Sequence, residues 1–170
     1  VKIEPVIAGG HQERGERSGT TPVELIVGMA KALELCAKDR ENINLKKIKI
    51  RDAFIDKVLT NIPHTYLNGH KTNRLPGNIN ISFEFIEGES LLMMLDLAGI
   101  AVSSGSACAS GSLEVSHVIS ALGVKDELSH SSIRFSMGKD TTMEEMDYVY
   151  EQLKIAVERL RMLSPLYVES

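Results

Sequence analysis

The sequence predicts an α/β protein, more specifically an α+β domain in which a short mixed or antiparallel sheet packs against helices. Three observations indicate this fold. Several segments repeat apolar residues at helical spacing, the segment Asn78–Phe85 alternates apolar and polar residues as a strand does, and segments of the two kinds alternate along the chain. With 170 residues, 43% of them hydrophobic and 25% charged, the chain can bury a core.

The N-terminal part is predicted to contain an extended segment, a loop and a helix. Residues 1–7 are mainly apolar, and the polar, glycine-containing loop Gly9–Gly19 follows them. A helix is predicted from about Pro22 to about Lys38, because Pro22 suits the first helical position and Thr21 with Glu24 forms a capping box.

A second helix is predicted over about Asn42–Asn61, and Pro63 is expected to end it. Its apolar stripe consists of Leu45, Ile48, Ile55, Leu59 and Ile62.

The middle of the chain is predicted to hold strands and one buried helix. Strands are expected over His64–Leu67 and Asn78–Phe85, and a third, very short one over Ile100–Val102. The segment Gly88–Ala98 is apolar nearly all round, which indicates a buried helix, and Gly99 is placed to cap its end.

The C-terminal part is predicted to contain a short helix at Ser116–Leu122, a strand at Ile133–Met137 and a long last helix. The long helix begins at Thr142, which forms a capping box with Glu145, and ends near Ser164. Its apolar stripe consists of Met146, Val149, Tyr150, Leu153, Val157 and Leu160.

Composition argues against several classes of partner. The 19 basic and 23 acidic side chains give a net charge of −4 without a basic cluster, which argues against DNA or RNA. The most apolar stretch, Leu91–Leu95, is interrupted by Asp96, whereas a membrane-spanning helix needs about 18 apolar residues. Two cysteines are too few for a disulfide scaffold, so a cytoplasmic location is predicted.

The loop Ser103–Ser112 is the first candidate for chemistry. Its ten residues are five serines, two glycines, two alanines and Cys108, a composition that predicts a mobile loop with an accessible thiol. The alternative is an ordinary surface loop with an incidental cysteine. Cys36, by contrast, shares a helix face with Leu33 and Met29, and it is predicted to be a packed, structural residue.

Two further candidates could bind anions. The loop Gly9–Thr20 leads into a helix N-terminus, where Thr20 could donate to a phosphate if Thr21 caps the helix; a simple turn is the alternative. Arg134 alternates with Ile133 and Phe135, so it faces away from the core and could bind a carboxylate, or it could simply face solvent. No metal site is predicted.

Together and in this order, four motifs resemble the pyridoxal-phosphate-dependent cysteine desulfurases of the class V aminotransferase family. The resemblance is to the branch with the long SSGSAC loop, which serves iron–sulfur cluster assembly and nitrogen fixation. The motifs are GGHQERGERSGT at Gly9–Thr20, TNRLPGNINISF at Thr72–Phe83, SSGSACASGS at Ser103–Ser112, and SIRFSMG at Ser132–Gly138.

The resemblance implies a role for each candidate residue. Cys108 is implied to be the nucleophile that takes sulfur from L-cysteine as a persulfide, and Arg134 to pair with the substrate carboxylate. Thr20 is implied to reach the phosphate of pyridoxal 5′-phosphate across a homodimer interface. The expected fold is the C-terminal domain of a fold-type I PLP-dependent transferase, with residues 1–38 as the tail of the large PLP-binding domain and residues 39–170 as the small domain.

The resemblance also implies that the Schiff-base lysine lies upstream of Val1, so the chain alone is expected to be inactive. Lys71, which follows His70, is expected to be a solvated loop charge. The implied partners are L-cysteine, a second subunit and a sulfur acceptor or iron–sulfur scaffold protein. A selenocysteine lyase, or a non-enzymatic sulfur-relay or docking module, remains an alternative.

Overall fold

The computed structural model of the chain describes residues 4–104 and 116–167. The chain divides into two compact units, Val1–Arg40 and Glu41–Ser170. In the first unit, a short 3-10 helix at Gln12–Gly15 precedes the start of helix α1. The buried Ser18 donates its hydroxyl hydrogen bond to the carbonyl oxygen of Ile7 at 2.6 Å and so joins the two ends of the loop.

Helix α1 is one continuous helix, Val23–Asn61, where the sequence pattern predicted two. The prediction of a break between Lys38 and Asn42 was wrong. The intervening residues are Asp, Arg and Glu, and no proline or glycine among them interrupts the helical hydrogen bonds. The helix begins one residue after Pro22, whose carbonyl oxygen accepts from the amide of Ile26 at 3.1 Å.

The second unit contains a four-stranded sheet. Its strands are β1 (Thr65–Leu67), β2 (Asn78–Phe83), β3 (Ser103–Ser104) and β4 (Ser132–Ser136). Every described pairing is antiparallel, and the spatial order is β1-β2-β4-β3. The predicted short antiparallel sheet is therefore confirmed.

Strands β1 and β4 differ from the predicted bounds by one residue at one or both ends, and β2 and β3 differ by more. Strand β2 ends at Phe83 and excludes Phe85, whose φ of 70° takes the chain out of the extended conformation into a turn. Strand β3 lies at Ser103–Ser104, just after the predicted Ile100–Val102, because this is where the chain pairs with β4.

Four more helices belong to the described part of the second unit. They are α2 (Gly88–Leu97), α3 (His117–Ala121), α4 (Asp126–Ser129) and α5 (Met143–Leu163). Helix α4 was not predicted, since its four residues are too few to show a helical period. The capping box of α5 is confirmed: the amide of Glu145 donates to the Thr142 hydroxyl at 3.2 Å, and the Thr142 amide donates to the Glu145 carboxylate at 2.9 Å.

One hydrophobic core joins the sheet to helices α1, α2 and α5. The sheet contributes five large side chains, Ile79, Ile81, Phe83, Ile133 and Phe135. The helices contribute Ile50, Phe54, Ile55, Val58, Leu91, Leu95, Met146, Tyr150, Leu153 and Val157. The predicted stripe of the second helix was partly wrong, because Leu45 and Leu59 are exposed and Phe54 and Val58 take the core positions.

The other face of the sheet is polar. On β4, Ile133 and Phe135 are buried while Arg134 and Ser136 are exposed. Asn80 on β2 lies directly opposite Arg134 in the register. Since directly paired residues of antiparallel strands point to the same face, this face is the one that can present polar groups to a ligand.

Candidate active site

Arg134 lies at the centre of the polar face of the sheet. It is paired with Asn80 on β2 and with Ser103 on β3. Its guanidinium Nη2 donates to the hydroxyl of Ser103 at 3.5 Å, and the side chain is exposed. The alternation of β4 had predicted this direction, and the exposed fork is suited to a carboxylate.

Arg134 opens into a cavity of about 390 Å³ in the second unit. The polar face of the sheet forms one side, and three apolar residues at and beside α3, Val118, Ile119 and Leu122, form another. The remaining lining residues are Asn68, Gly69, His70, Asn73, Arg74, Asn78, Asn80, Ser104 and Ser116. A small cavity with polar groups on one side and apolar groups on the other can hold a small amphipathic molecule.

The cavity favours anions. Its described lining includes Arg74 and Arg134 and contains no Asp or Glu. The Nη2 of Arg74 donates to the carbonyl oxygen of Asn68 at 2.8 Å, while its Nε and Nη1 are buried and have no acceptor among residues 4–104 and 116–167. Burial, and to a lesser extent the charge of Arg51, lowers the pKa of Arg74. An anion bound in the cavity would raise this pKa again, because it favours the charged guanidinium.

Asn68 connects the cavity lining to the sheet. This residue is only 4% exposed. Its Nδ2 donates to the Oδ1 of Asn80 at 2.7 Å and to the hydroxyl of Ser82 at 2.9 Å. Its backbone amide donates to the carbonyl oxygen of Asn80 at 2.9 Å. These bonds fix the position of the Asn80 side chain beside Arg134.

Cys108 lies outside the described residues. The residues that flank its segment in the description, Ser104 and Ser116, both line the cavity that contains Arg134. The last residue described before Cys108 and the first residue described after it therefore both lie at this cavity.

Thr20 belongs to the first unit, where its side chain is exposed. It lies three residues before Val23, the first residue of α1. Arg17 donates through Nη1 to the carbonyl oxygens of Gly19 at 3.1 Å and of Thr20 at 3.4 Å, which holds the loop in place. An exposed hydroxyl close to a helix N-terminus can donate to a phosphate, so the local geometry fits the predicted contact.

The expectation for Cys36 was wrong. Cys36 is exposed, as are Met29 at 69% and Leu33 at 70%, the residues with which it was expected to pack. The helical stripe exists, but no described residue covers it. Periodicity shows that a face is apolar and does not show what covers it.

Sequence reasoning missed Asn68, Arg74 and Asn80 as members of the site. Asn80 could have been found, because Asn78, Asn80 and Ser82 alternate with the core residues of β2 and so share the face of Arg134. Asn68 and Arg74 lie next to strands in loops, where no period applies. Arg74 belongs to the motif Thr72–Phe83, which singles out its segment but not its direction, and no pattern points to Asn68.

Comparison with known proteins identifies the family. The family model described as Aminotransferase class-V matches residues 5–149. The chain therefore belongs to the class V aminotransferase family.

Curated relatives and solved structures agree with this assignment. The chain is 49% identical to the cysteine desulfurase IscS of Dictyoglomus turgidum, over 96% of this chain and 42% of the relative. It is 52% identical to the cysteine desulfurase IscS of Pasteurella multocida, over 98% of this chain and 41% of the relative. The structure of a NifS-like protein matches with a TM-score of 0.77 and 34% identity, over 95% of this chain and 40% of that one. The chain thus spans about two fifths of the length of the relatives it matches.

Two further findings concern the described residues alone. None of the helices in this part of the chain combines the length and the apolar character that crossing a membrane requires. Residues 4–104 and 116–167 contain no group of three or more His, Cys, Asp or Glu side chains placed to hold a metal ion.

Proposed function

We propose that this chain is the C-terminal part of a cysteine desulfurase, which converts L-cysteine to L-alanine and leaves the sulfur on Cys108 as a persulfide. One observation carries the proposal: Ser104 and Ser116, on either side of the segment that contains Cys108, line the same cavity as Arg134. In this proposal the nucleophile and the carboxylate-binding residue act at the same cavity, as a reaction on a small amino acid requires.

Arg134 binds the substrate in this proposal. The exposed guanidinium pairs with the carboxylate of L-cysteine, and the cationic lining of the cavity favours the same group. Neighbouring strands hold the Arg134 backbone on both sides, and the hydroxyl of Ser103 accepts from its Nη2 at 3.5 Å. Arg134 thereby holds the carboxylate end of L-cysteine, and the thiol at the other end is free to face the nucleophile.

Cys108 attacks the substrate sulfur. Cys108 is four residues after Ser104 in the sequence, and Ser104 lines the cavity. The thiolate of Cys108 forms a new sulfur–sulfur bond as the carbon–sulfur bond of the substrate breaks. The product is a persulfide, whose outer sulfur can pass to an acceptor protein.

Pyridoxal phosphate, when bound, acts as an electron sink for the carbon from which sulfur leaves. In this chain Thr20 would donate to its phosphate, from one subunit of a homodimer to the cofactor of the other. The lysine that holds the cofactor is proposed to belong to the remaining three fifths of the protein. We also propose a cytoplasmic location, and an iron–sulfur scaffold or other sulfur acceptor as the partner.

The proposal is tested by mass spectrometry and product analysis on the complete protein. After incubation with L-cysteine, the peptide containing Cys108 is expected to gain the mass of one sulfur atom. Cys108→Ser is expected to lower alanine formation by at least about 100-fold, because the nucleophile is lost. The matched control is Cys36→Ser, which removes the other cysteine of this chain, exposed in the structure described here, and should retain wild-type turnover.

Two results would contradict the proposal. One is wild-type turnover by Cys108→Ser, and the other is sulfur carried by Cys36 in place of Cys108.

A further inference from the structure

Asn80 lies beside Arg134, where it can contact the ligand that Arg134 binds in the cavity. The two residues are paired directly across β2 and β4, and both line the cavity. The β-carbons of directly opposed residues in antiparallel strands lie about 4.5–5.5 Å apart. One carboxylate can therefore contact both side chains.

The amide of Asn80 is held in one orientation. Its Oδ1 accepts from the Nδ2 of the buried Asn68 at 2.7 Å. Because Oδ1 is occupied by Asn68, the Nδ2 on the other side of the amide carbon is the end that can donate to a ligand in the cavity.

Asn68 is itself fixed, so the orientation of Asn80 does not depend on the ligand. The backbone amide of Asn68 donates to the carbonyl oxygen of Asn80 at 2.9 Å, and its own carbonyl oxygen accepts from Arg74 at 2.8 Å. Its side chain also donates to Ser82 at 2.9 Å. A donor that is oriented in advance loses little entropy when the ligand binds.

We propose that Asn80 is a second carboxylate-binding residue. Its Nδ2 donates to one oxygen of the substrate carboxylate while Arg134 pairs with the other, and Asn68 acts as the positioning residue for Asn80. This inference rests on the proposed function, since it takes the ligand to be the amino-acid substrate. A neutral donor beside the guanidinium adds a directional contact to the charge pairing and so fixes the rotation of the carboxylate.

The first variant that tests this role is Asn80→Asp in the complete desulfurase. Aspartate keeps an oxygen to accept from Asn68 and replaces the donor by a second oxygen, so the structural bond remains and the contact with the ligand is lost. The KM for L-cysteine is expected to rise about 10- to 100-fold, and kcat should stay within about twofold. Asn80→Ala should raise KM about tenfold.

Inhibitors separate a contact with the carboxylate from a general disturbance of the site. The inhibition constant of L-alanine is expected to rise with KM in Asn80→Ala. Ethylamine has the same carbon atoms as alanine except the carboxylate, so its inhibition constant should not change. Ser136→Asp is the control for charge, because Ser136 is exposed on the same face of β4 and lies outside the cavity lining; its KM should stay within about fivefold.

The outcomes distinguish this inference from the proposed function. If Arg134→Gln raises KM while Asn80→Asp leaves it within twofold, only the role of Asn80 is wrong. An equal loss of inhibition by alanine and ethylamine in Asn80→Ala would also overturn that role, because the effect would not concern the carboxylate. If Arg134→Gln leaves KM unchanged, the carboxylate site of the proposed function is wrong and the role of Asn80 with it.

Discussion

Arg161 lies on α5 and is buried without a carboxylate partner at hydrogen-bond distance among the described residues. Its Nε donates to the carbonyl oxygen of Glu84 at 3.2 Å, and its Nη2 donates to that of His64 at 3.0 Å. The ring of Tyr167 lies 5.6 Å from the guanidinium carbon. Burial lowers the pKa of Arg161, while the charges of Tyr167 and Glu84 act in the opposite direction. The residue therefore holds the ends of β1 and β2 against the last helix.

Replacement of Arg161 by Met is expected to destabilise the second unit by about 2–4 kcal/mol. The side chain keeps most of its apolar volume, but the partly buried hydrogen bonds to the carbonyl oxygens of His64 and Glu84 are lost. Urea denaturation measures the change in the free energy of unfolding. Arg159→Met, at an exposed position two residues earlier, should change it by less than about 0.5 kcal/mol, and an equal effect of the two variants would contradict the role of Arg161.

Single residues of the site were predictable only where a regular period applies. The alternation of β4 predicted the direction of Arg134 correctly, because the pleat of a strand leaves no other choice. The same reasoning failed for Cys36, since helical spacing identifies a face but not its partner. Asn68 and Arg74 reach the cavity from loops, and their positions depend on tertiary contacts that no local pattern encodes.

Among helices and strands, the length of the element and the capping residues at its ends decided which predictions were correct. Helix α5 was predicted with its capping box because it has 21 residues and a clear N-terminal signal. Helix α2 was predicted with its end, where Gly99 has a φ of 77° that suits glycine. Elements of two to four residues, such as α4 and β3, carry too few residues for a pattern, and their boundaries are set by pairing and packing.

The start of α2 depends on close contact with another backbone segment. The amide of Gly88 donates to the carbonyl oxygen of His130 at 3.1 Å, and a β-carbon at this position would lie 2.6 Å from the same oxygen. This distance is too short for a carbon and an oxygen. Only glycine allows the two segments to approach in this way.

Gly88→Ala is therefore expected to destabilise the protein by about 1–3 kcal/mol, because the helix start must move away from His130. The control is Gly28→Ala in α1, where an added β-carbon meets no atom within 4 Å. At that position alanine should stabilise the helix by about 0.5–1 kcal/mol. Thermal and urea unfolding of the two variants measure both changes, and a neutral Gly88→Ala would show that the contact is not tight in solution.

At the scale of the whole molecule, the chain carries an apolar surface that its described residues do not cover. The first part of α1 exposes Val23, Leu25, Ile26, Val27, Met29, Leu33 and Leu35. Exposed apolar side chains in such number are typical of a surface that contacts another part of a protein. The chain matches about two fifths of each relative, so we expect the remainder of the protein to cover this stripe and to complete the site.

We also expect the lysine that binds the cofactor to belong to the remainder of the protein and not to this chain. Lys71 is the residue that could be mistaken for it, because it follows His70 and precedes Asn73, and both of these line the cavity. Lys71 itself is exposed. Lys71→Ala in the complete protein should leave kcat within about twofold of wild type, whereas loss of a lysine that binds the cofactor covalently would lower kcat by several orders of magnitude.

Two measurements complete this test. The chain alone, supplied with pyridoxal phosphate and L-cysteine, is expected to release no alanine, whereas the complete protein should do so under the same conditions. Lys139→Ala, at another exposed loop position, is the control for removing a surface charge. Turnover by the chain alone would contradict this expectation. Loss of turnover in Lys71→Ala but not in Lys139→Ala would contradict it too, because the lysine that binds the cofactor would then belong to this chain and not to the remainder of the protein.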